Sequence, residues 1–153
     1  MAVDTMNEKS KLEWPDGYHM VPYRVYMDED IYHREQEKIF RGPTWNYVGL
    51  EVEIPNKGDY KTTFVGDTPV VVTRDGEGQI RCFVNRCSHR GANVCMDTCG
   101  NRKTFTCVYH AWSFDLKGKL IGVPFKNGVD GKGGMPEDFD MEKHSLQPLK
   151  VAT

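Results

Sequence analysis

A mainly β domain of antiparallel sheet, carrying a small subdomain of two Cys/His loops and preceded by one N-terminal helix, is the fold this sequence predicts. Three observations predict it. From Trp45 onward, short runs rich in Val, Ile, Thr and aromatics are separated by Gly- and Pro-containing turns. Upstream, "MDEDIYHREQEKIFRGP" carries the start and stop signals of a helix. Two loops, "RCSHRGANVC" at 86–95 and "CVYHAW" at 107–112, each follow a strand-like run and repeat a Cys/His pairing.

Residues 1–27 contain Pro15, Gly17 and Pro22 and read as an irregular lead-in. The helix follows. Asp28 caps it, acids fill its first turn, Lys38 and Arg41 lie in its last, and Gly42-Pro43 stops it. Ile31, Tyr32, Ile39 and Phe40 are expected to form one buried stripe. "WNYVGLEVEI" alternates as a strand does until Pro55 and Gly58, and "YKTTFVG" and "PVVVTRD" continue as strands. "DGEG" turns the chain into "QIRCFVN", where Ile80, Cys82 and Val84 share a face and Cys82 reads as a core thiol. "KTFTC" is the strand before the second loop, "DLKGKL" a hairpin turn, "NGVDGKGGMPEDFD" a flexible Gly-rich loop and "SLQPLKVAT" a strand-like run. The expected organisation is a lead-in and helix over 1–44 and the sheet domain over 45–153, with the two loops in about 85–123. The abrupt end after a strand-like run reads as a cut.

Composition excludes several classes. A net charge of −2, without a Lys/Arg stripe, gives no electrostatic reason to expect nucleic acid. No apolar run is long enough to span a membrane, and the polar N-terminus lacks the apolar core of a secretory signal, so a cytoplasmic location is expected. Thiols stay reduced there, and the odd number of cysteines, 5, argues against a disulfide framework. "GVDGKGG" lacks the spacing of a phosphate loop, and no Ser/His/Asp or Cys/His catalytic set stands out. Cys95 and Cys99 read as ordinary small residues, and His19, His33 and His144 as surface or structural histidines.

The loops themselves read Cys87-x-His89, then Cys107-x2-His110. Two cysteines and two histidines are a ligand set for a tetrahedral zinc ion, but a one-residue gap between ligands is unusual for a single ion. Each loop offers one sulfur and one nitrogen. That arrangement suits a binuclear [2Fe–2S] centre, in which both cysteines bind one iron and both histidines the other.

With its continuation "FTCVYHAWSFDLKGKLIGVPF" and the upstream "DIYHREQEKIFRGPTWNYVG", the chain resembles the N-terminal Rieske domain of aromatic-ring-hydroxylating dioxygenase large (alpha) subunits over roughly residues 14–125. Within that family it looks closest to the anthranilate, salicylate and polycyclic-arene oxygenases. Ala111 departs from the pattern, since many members have Gly after the second histidine. The resemblance implies Cys87, His89, Cys107 and His110 as the metal ligands, with Arg90, Gly91, Tyr109 and Trp112 around them. Arg90 is expected to orient the loop through carbonyls or carboxylates, Gly91 to permit a tight turn, and Tyr109 and Trp112 to shield the cluster or meet a partner. No catalytic residue is expected in this chain.

High-potential Rieske centres have two further cysteines, a serine and a tyrosine at the positions held here by Ala92, Tyr109, Trp112 and Phe114. Without that disulfide and those donors, the potential is expected near the low end of a range of roughly −150 to +300 mV. The added electron is expected on the histidine-bound iron, because imidazole is neutral and thiolate anionic. The resemblance also implies a ferredoxin or reductase as donor. Its acceptor would be a mononuclear Fe(II) with two histidines and one carboxylate, in the catalytic domain of a neighbouring subunit of a trimer-based parent. His110 would meet an aspartate there. The remaining histidines supply no such set, so the chain reads as an excised electron-transfer domain, its C-terminal catalytic domain absent. The alternatives are a freestanding Rieske ferredoxin and a zinc-binding structural module.

Overall fold

The computed structural model describes Gly17 and residues 19–153. These fall into two compact units that divide between Trp45 and Asn46.

The first unit is helical. A one-turn helix α1 (Arg24–Met27) lies within the stretch expected to be irregular lead-in, closed by the Asp28 N–H on the Arg24 carbonyl at 3.0 Å. Asp28 then caps α2 (Glu29–Glu35), its carboxylate accepting from the N–H groups of Asp30 at 3.0 Å and Ile31 at 3.2 Å. From Gln36 to Phe40 the helix widens to a π-helical turn, with the Arg41 N–H on the Gln36 carbonyl at 2.9 Å. The expected buried stripe does not form. Tyr32 and Ile39 are exposed, Ile31 and Phe40 half-buried, and Gln36 is the buried residue of the helix. Burial needs a partner surface, and among the described residues of this unit the one-turn α1 is what packs against α2.

The second unit holds two antiparallel sheets. The larger runs in the order β4-β1-β2-β3-β8, from β1 (Asp59–Val65), β2 (Thr68–Arg74), β3 (Ile80–Val84), β4 (Cys99–Asn101) and β8 (Pro148–Leu149). The smaller is β5 (Thr104–Thr106), β6 (Ser113–Asp115) and β7 (Leu120–Gly122). The alternating segment from Trp45 is not a strand. It runs without a ladder into a 3₁₀ turn at Glu51–Glu53, where the Glu53 carboxylate accepts the Leu50 N–H at 2.6 Å. That local bond offers the backbone a partner other than a neighbouring strand. The Gly-rich stretch forms turns closed on themselves, with Met135 N–H on the Lys126 carbonyl at 2.8 Å and a bridge between Val129 and Lys132.

Strand β2 is central and buried on both faces. Val70 and Val72 pack with Ile54 and Cys82, and with half-buried Ile80 and Leu149, on one side. Burial pushes the Cys82 thiol up to about 11, which keeps it an inert core group. Val71 and Phe83 face the main core, shared with Phe105, Phe114, Leu120 and Leu146 of the smaller sheet and its surroundings. Gly118 allows the two sheets to meet. It sits at φ +77, and a Cβ there would lie 2.5 Å from the Phe83 ring. Thr73 Oγ1 donates to the Leu116 carbonyl at 2.9 Å across the same contact.

Candidate metal centre

The two loops hang from the ends of β3 and β5, and the same backbone turn forms twice. In the first, the Cys87 carbonyl accepts the Gly91 N–H at 2.8 Å and the Cys87 N–H donates to the Ala92 carbonyl at 2.7 Å. In the second, the Cys107 carbonyl accepts the Ala111 N–H at 2.9 Å and the Cys107 N–H donates to the Trp112 carbonyl at 2.8 Å. The fourth residue after each cysteine lies in the left-handed region, Gly91 at φ +74 and Ala111 at φ +55. Each turn therefore puts a cysteine at its base and a histidine near its tip.

Cys87 and Cys107 are both buried, in the floor of the main core, and neither is in a disulfide. Burial raises the Cys87 thiol above its ordinary range, and the neighbouring Cys107 sulfur raises it further, against the pull of the His89 and Arg90 N–H groups. The imidazoles of His89 and His110 sit side by side at the half-buried rim, centroids 4.6 Å apart. Desolvation, then the charges of His110 and Arg90, lower His89 and favour its neutral, metal-binding form. His89 Nδ1 is buried and has no hydrogen-bond partner among the described residues, which is costly for a group that accepts or donates, unless something else binds it. Among the described residues, no three His, Cys, Asp or Glu side chains converge as a mononuclear ion needs.

The surrounding residues divide between the interior of the centre and its exposed side. Trp112 is buried at 3% exposure and stacks on His89, planes 8° apart and centroids 4.7 Å apart, so it packs within the centre. Tyr109 is exposed, its ring 3.8 Å from that of His110. The Arg90 side chain is exposed and makes no hydrogen bond to the described residues of the loop. Arg86 makes it instead, Nη1 to the Gly91 carbonyl at 3.1 Å, because Arg90 points outward beyond the turn that Gly91 closes. Sequence reasoning missed Asn85, a buried amide that accepts the N–H groups of Val94 at 3.1 Å and Cys95 at 2.9 Å and donates to the Cys95 carbonyl at 2.8 Å. Cys95 is thereby buried beside the loop, while Cys99 lies exposed on edge strand β4. His144, half-buried, donates from Nδ1–H to the Asp140 carbonyl at 2.8 Å.

A β scaffold that presents a cysteine pair below a histidine pair defines a small domain for a binuclear iron–sulfur centre. A family model described as the Rieske [2Fe-2S] domain matches residues 44–132, and the chain belongs to that family. It is 56% identical over 146 residues to the anthranilate 1,2-dioxygenase large subunit of Burkholderia cepacia, covering 95% of this chain and 34% of that protein. It is 50% identical over 145 residues to the salicylate 5-hydroxylase large oxygenase component of a Ralstonia species, covering 92% of this chain and 34% of that one. Naphthalene 1,2-dioxygenase from a Rhodococcus species superposes with a TM-score of 0.73 at 34% identity, covering 84% of this chain and 28% of that one. The chain thus spans about a third of the length of these relatives. They are oxygenase subunits, and nothing in them favours a free ferredoxin or a zinc module. The family's group is a [2Fe–2S] cluster, and the residues present fit it: two adjacent sulfurs in a dry floor, two imidazoles at the rim, and a buried ring nitrogen awaiting a partner. Among the described residues, no helix is long and apolar enough to cross a membrane.

Proposed function

We propose that Cys87 and Cys107 hold one iron of a [2Fe–2S] cluster and His89 and His110 the other, and that the chain is the electron-transfer domain of an aromatic-ring-hydroxylating oxygenase. The doubled turn carries this reading: it delivers each cysteine to the buried floor and each histidine to the rim. When bound, such a cluster supplies one-electron transfer.

The chain's own residues set the direction of that transfer. The floor excludes water from the sulfurs, and the His89 and Arg90 N–H groups point at Cys87, where thiolate charge would rest. The histidine rim is the side closest to solvent, so electrons enter and leave there. His110, beside exposed Tyr109, faces the acceptor. A ferredoxin or reductase is the donor. The acceptor is a mononuclear Fe(II) in the catalytic domain of a neighbouring subunit of a trimer-based, cytoplasmic assembly that hydroxylates an aromatic compound. A quaternary ammonium Rieske monooxygenase of similar structure, with a TM-score of 0.73, is described in terms of inter-subunit electron transfer, which supports that route. This centre lacks the disulfide and the two hydroxyl donors of the high-potential centres. Ala92 and Tyr109 stand at the disulfide positions, and Trp112 and Phe114, both buried, carry no hydroxyl where the serine and tyrosine would be.

The purified, iron- and sulfide-loaded chain should be red-brown, hold two irons and two acid-labile sulfides, and give the EPR signal of a reduced Rieske centre. Its midpoint potential should lie near roughly −150 mV. A clearly positive potential would sink the argument from the missing donors, and a colourless zinc protein would sink the whole reading.

A further inference from the structure

Metal-bound histidines are normally oriented by a hydrogen bond to the ring nitrogen that the metal leaves free. The plane of the His89 ring is set here by a stacking contact. That contact is the Trp112 indole, nearly parallel to it. Trp112 is held in turn by a segment 27 residues and more further along the chain: the rings of Phe139 and His144 abut it at 5.7 Å and 5.9 Å, with interplanar angles of 76° and 74°. Phe139 and His144 stack on each other at 4.5 Å. The His144 ring is anchored on the Asp140 carbonyl, and its own carbonyl accepts the Ser88 hydroxyl at 2.5 Å, from inside the first loop. None of residues 139–144 lies in the 44–132 stretch matched by the family model.

We propose that the Phe139–His144 segment is a clamp that holds the plane of the His89 imidazole through the Trp112 indole. Trp112 and Phe139 are then positioning residues for this histidine. The clamp treats the two histidines unequally: His89 is gripped by a buried stack, and His110 is backed by an exposed tyrosine. The inference rests on His89 being a cluster ligand.

The test uses the full cluster-loaded chain and pulsed EPR of the histidine-nitrogen hyperfine couplings, with iron and sulfide content and thermal unfolding measured alongside. Phe139→Ala should keep its iron and sulfide but shift the couplings of one histidine and leave the other's unchanged. Trp112→Leu should shift the same couplings further, and Trp112→Phe should bring them back toward wild type. A merely structural role would lower the melting temperature and leave the couplings alone in Phe139→Ala and Trp112→Leu, and that result overturns the clamp. If Trp112→Leu fails to fold, Phe139→Ala decides. His89→Ala separates the two claims: it should abolish the couplings of one histidine, and survival of both sets refutes the ligand reading itself.

Discussion

The two loops share one turn but are held in place by different means. The second is flanked by a paired hairpin, Thr106 opposite Ser113, so a β ladder brings its two ends together. The first leaves β3 and does not return to a strand until β4, and the Asn85 side chain stands in for the missing ladder. Loop one also has the Arg86 brace and the Ser88 tie to a distant carbonyl. A repeated ligand geometry therefore does not need repeated support. One loop borrows regular secondary structure, and the other is built from side chains.

The largest effect should come from breaking what the loops do together. Cys107→Ser removes one of the two facing sulfurs from the buried floor and should abolish iron and sulfide retention, since a hydroxyl does not replace a thiolate at this kind of site. A variant that keeps a wild-type EPR signal would refute the pairing of the loops.

Next comes the support that only loop one has. Asn85→Ala leaves two N–H groups and one carbonyl without their partner in a buried setting. The expected loss is about 3 kcal/mol of unfolding free energy, measured by urea denaturation. Limited proteolysis should then cut in residues 86–98 before it cuts in 107–112. Cleavage in the reverse order would show that Asn85 is not the ladder's substitute.

The comparison extends to the two hairpins outside the loops. Asp75 and Asp115 make the same turn. Asp75 accepts the Glu77 and Gln79 N–H groups, each at 2.9 Å, and Asp115 accepts those of Lys117 at 2.8 Å and Lys119 at 2.9 Å. Asp75 alone is fully buried and paired, with Arg81 Nε at 2.7 Å. Desolvation pushes its carboxyl up, but the Arg81 bond and the two N–H donors outweigh that, and the net direction is down. A carboxyl lowered in the fold favours the ionised state. Its stabilisation is complete above the ordinary carboxylate range, and it is lost as pH falls through that range toward the lower folded value. Asp75→Asn should cost about 2 kcal/mol at neutral pH and flatten the acid limb of a stability–pH curve. An acid limb identical to wild type would mean that another group sets it.

Much of this was legible in the residue order, and what was missed has common causes. The strands β1, β2 and β3, the two Asp-Gly turns and the doubled Cys/His spacing are local signals, readable within a window of a few residues. Asn85 looked like a polar residue ending a strand, because its value depends on where Val94 and Cys95 return. Phe139 looked like part of a flexible Gly-rich loop and His144 like a surface or structural histidine, because only the folded chain brings them to Trp112. The alternation from Trp45 misled for the opposite reason. It is a true local pattern, overridden by the Glu53 carboxylate that bonds to the Leu50 N–H in place of a neighbouring strand.

The smallest effect is also the sharpest test of whether the two turns are equivalent. Gly91 and Ala111 occupy the same place in them, both with positive φ. An L-residue pays about 1–2 kcal/mol in that region, whereas glycine loses about 0.5–1 kcal/mol more chain entropy on folding. The difference favours glycine at both sites by about 0.5–1 kcal/mol. A Cβ at Gly91 would meet nothing within 4 Å, so Gly91→Ala tests the backbone alone, free of any clash. Gly91→Ala should therefore lower the urea midpoint and Ala111→Gly should raise it, by similar amounts and at unchanged m. If both substitutions move the midpoint in the same direction, the turns are alike in hydrogen bonds but not in backbone strain, and the left-handed residue of the second loop is held there by something other than the turn.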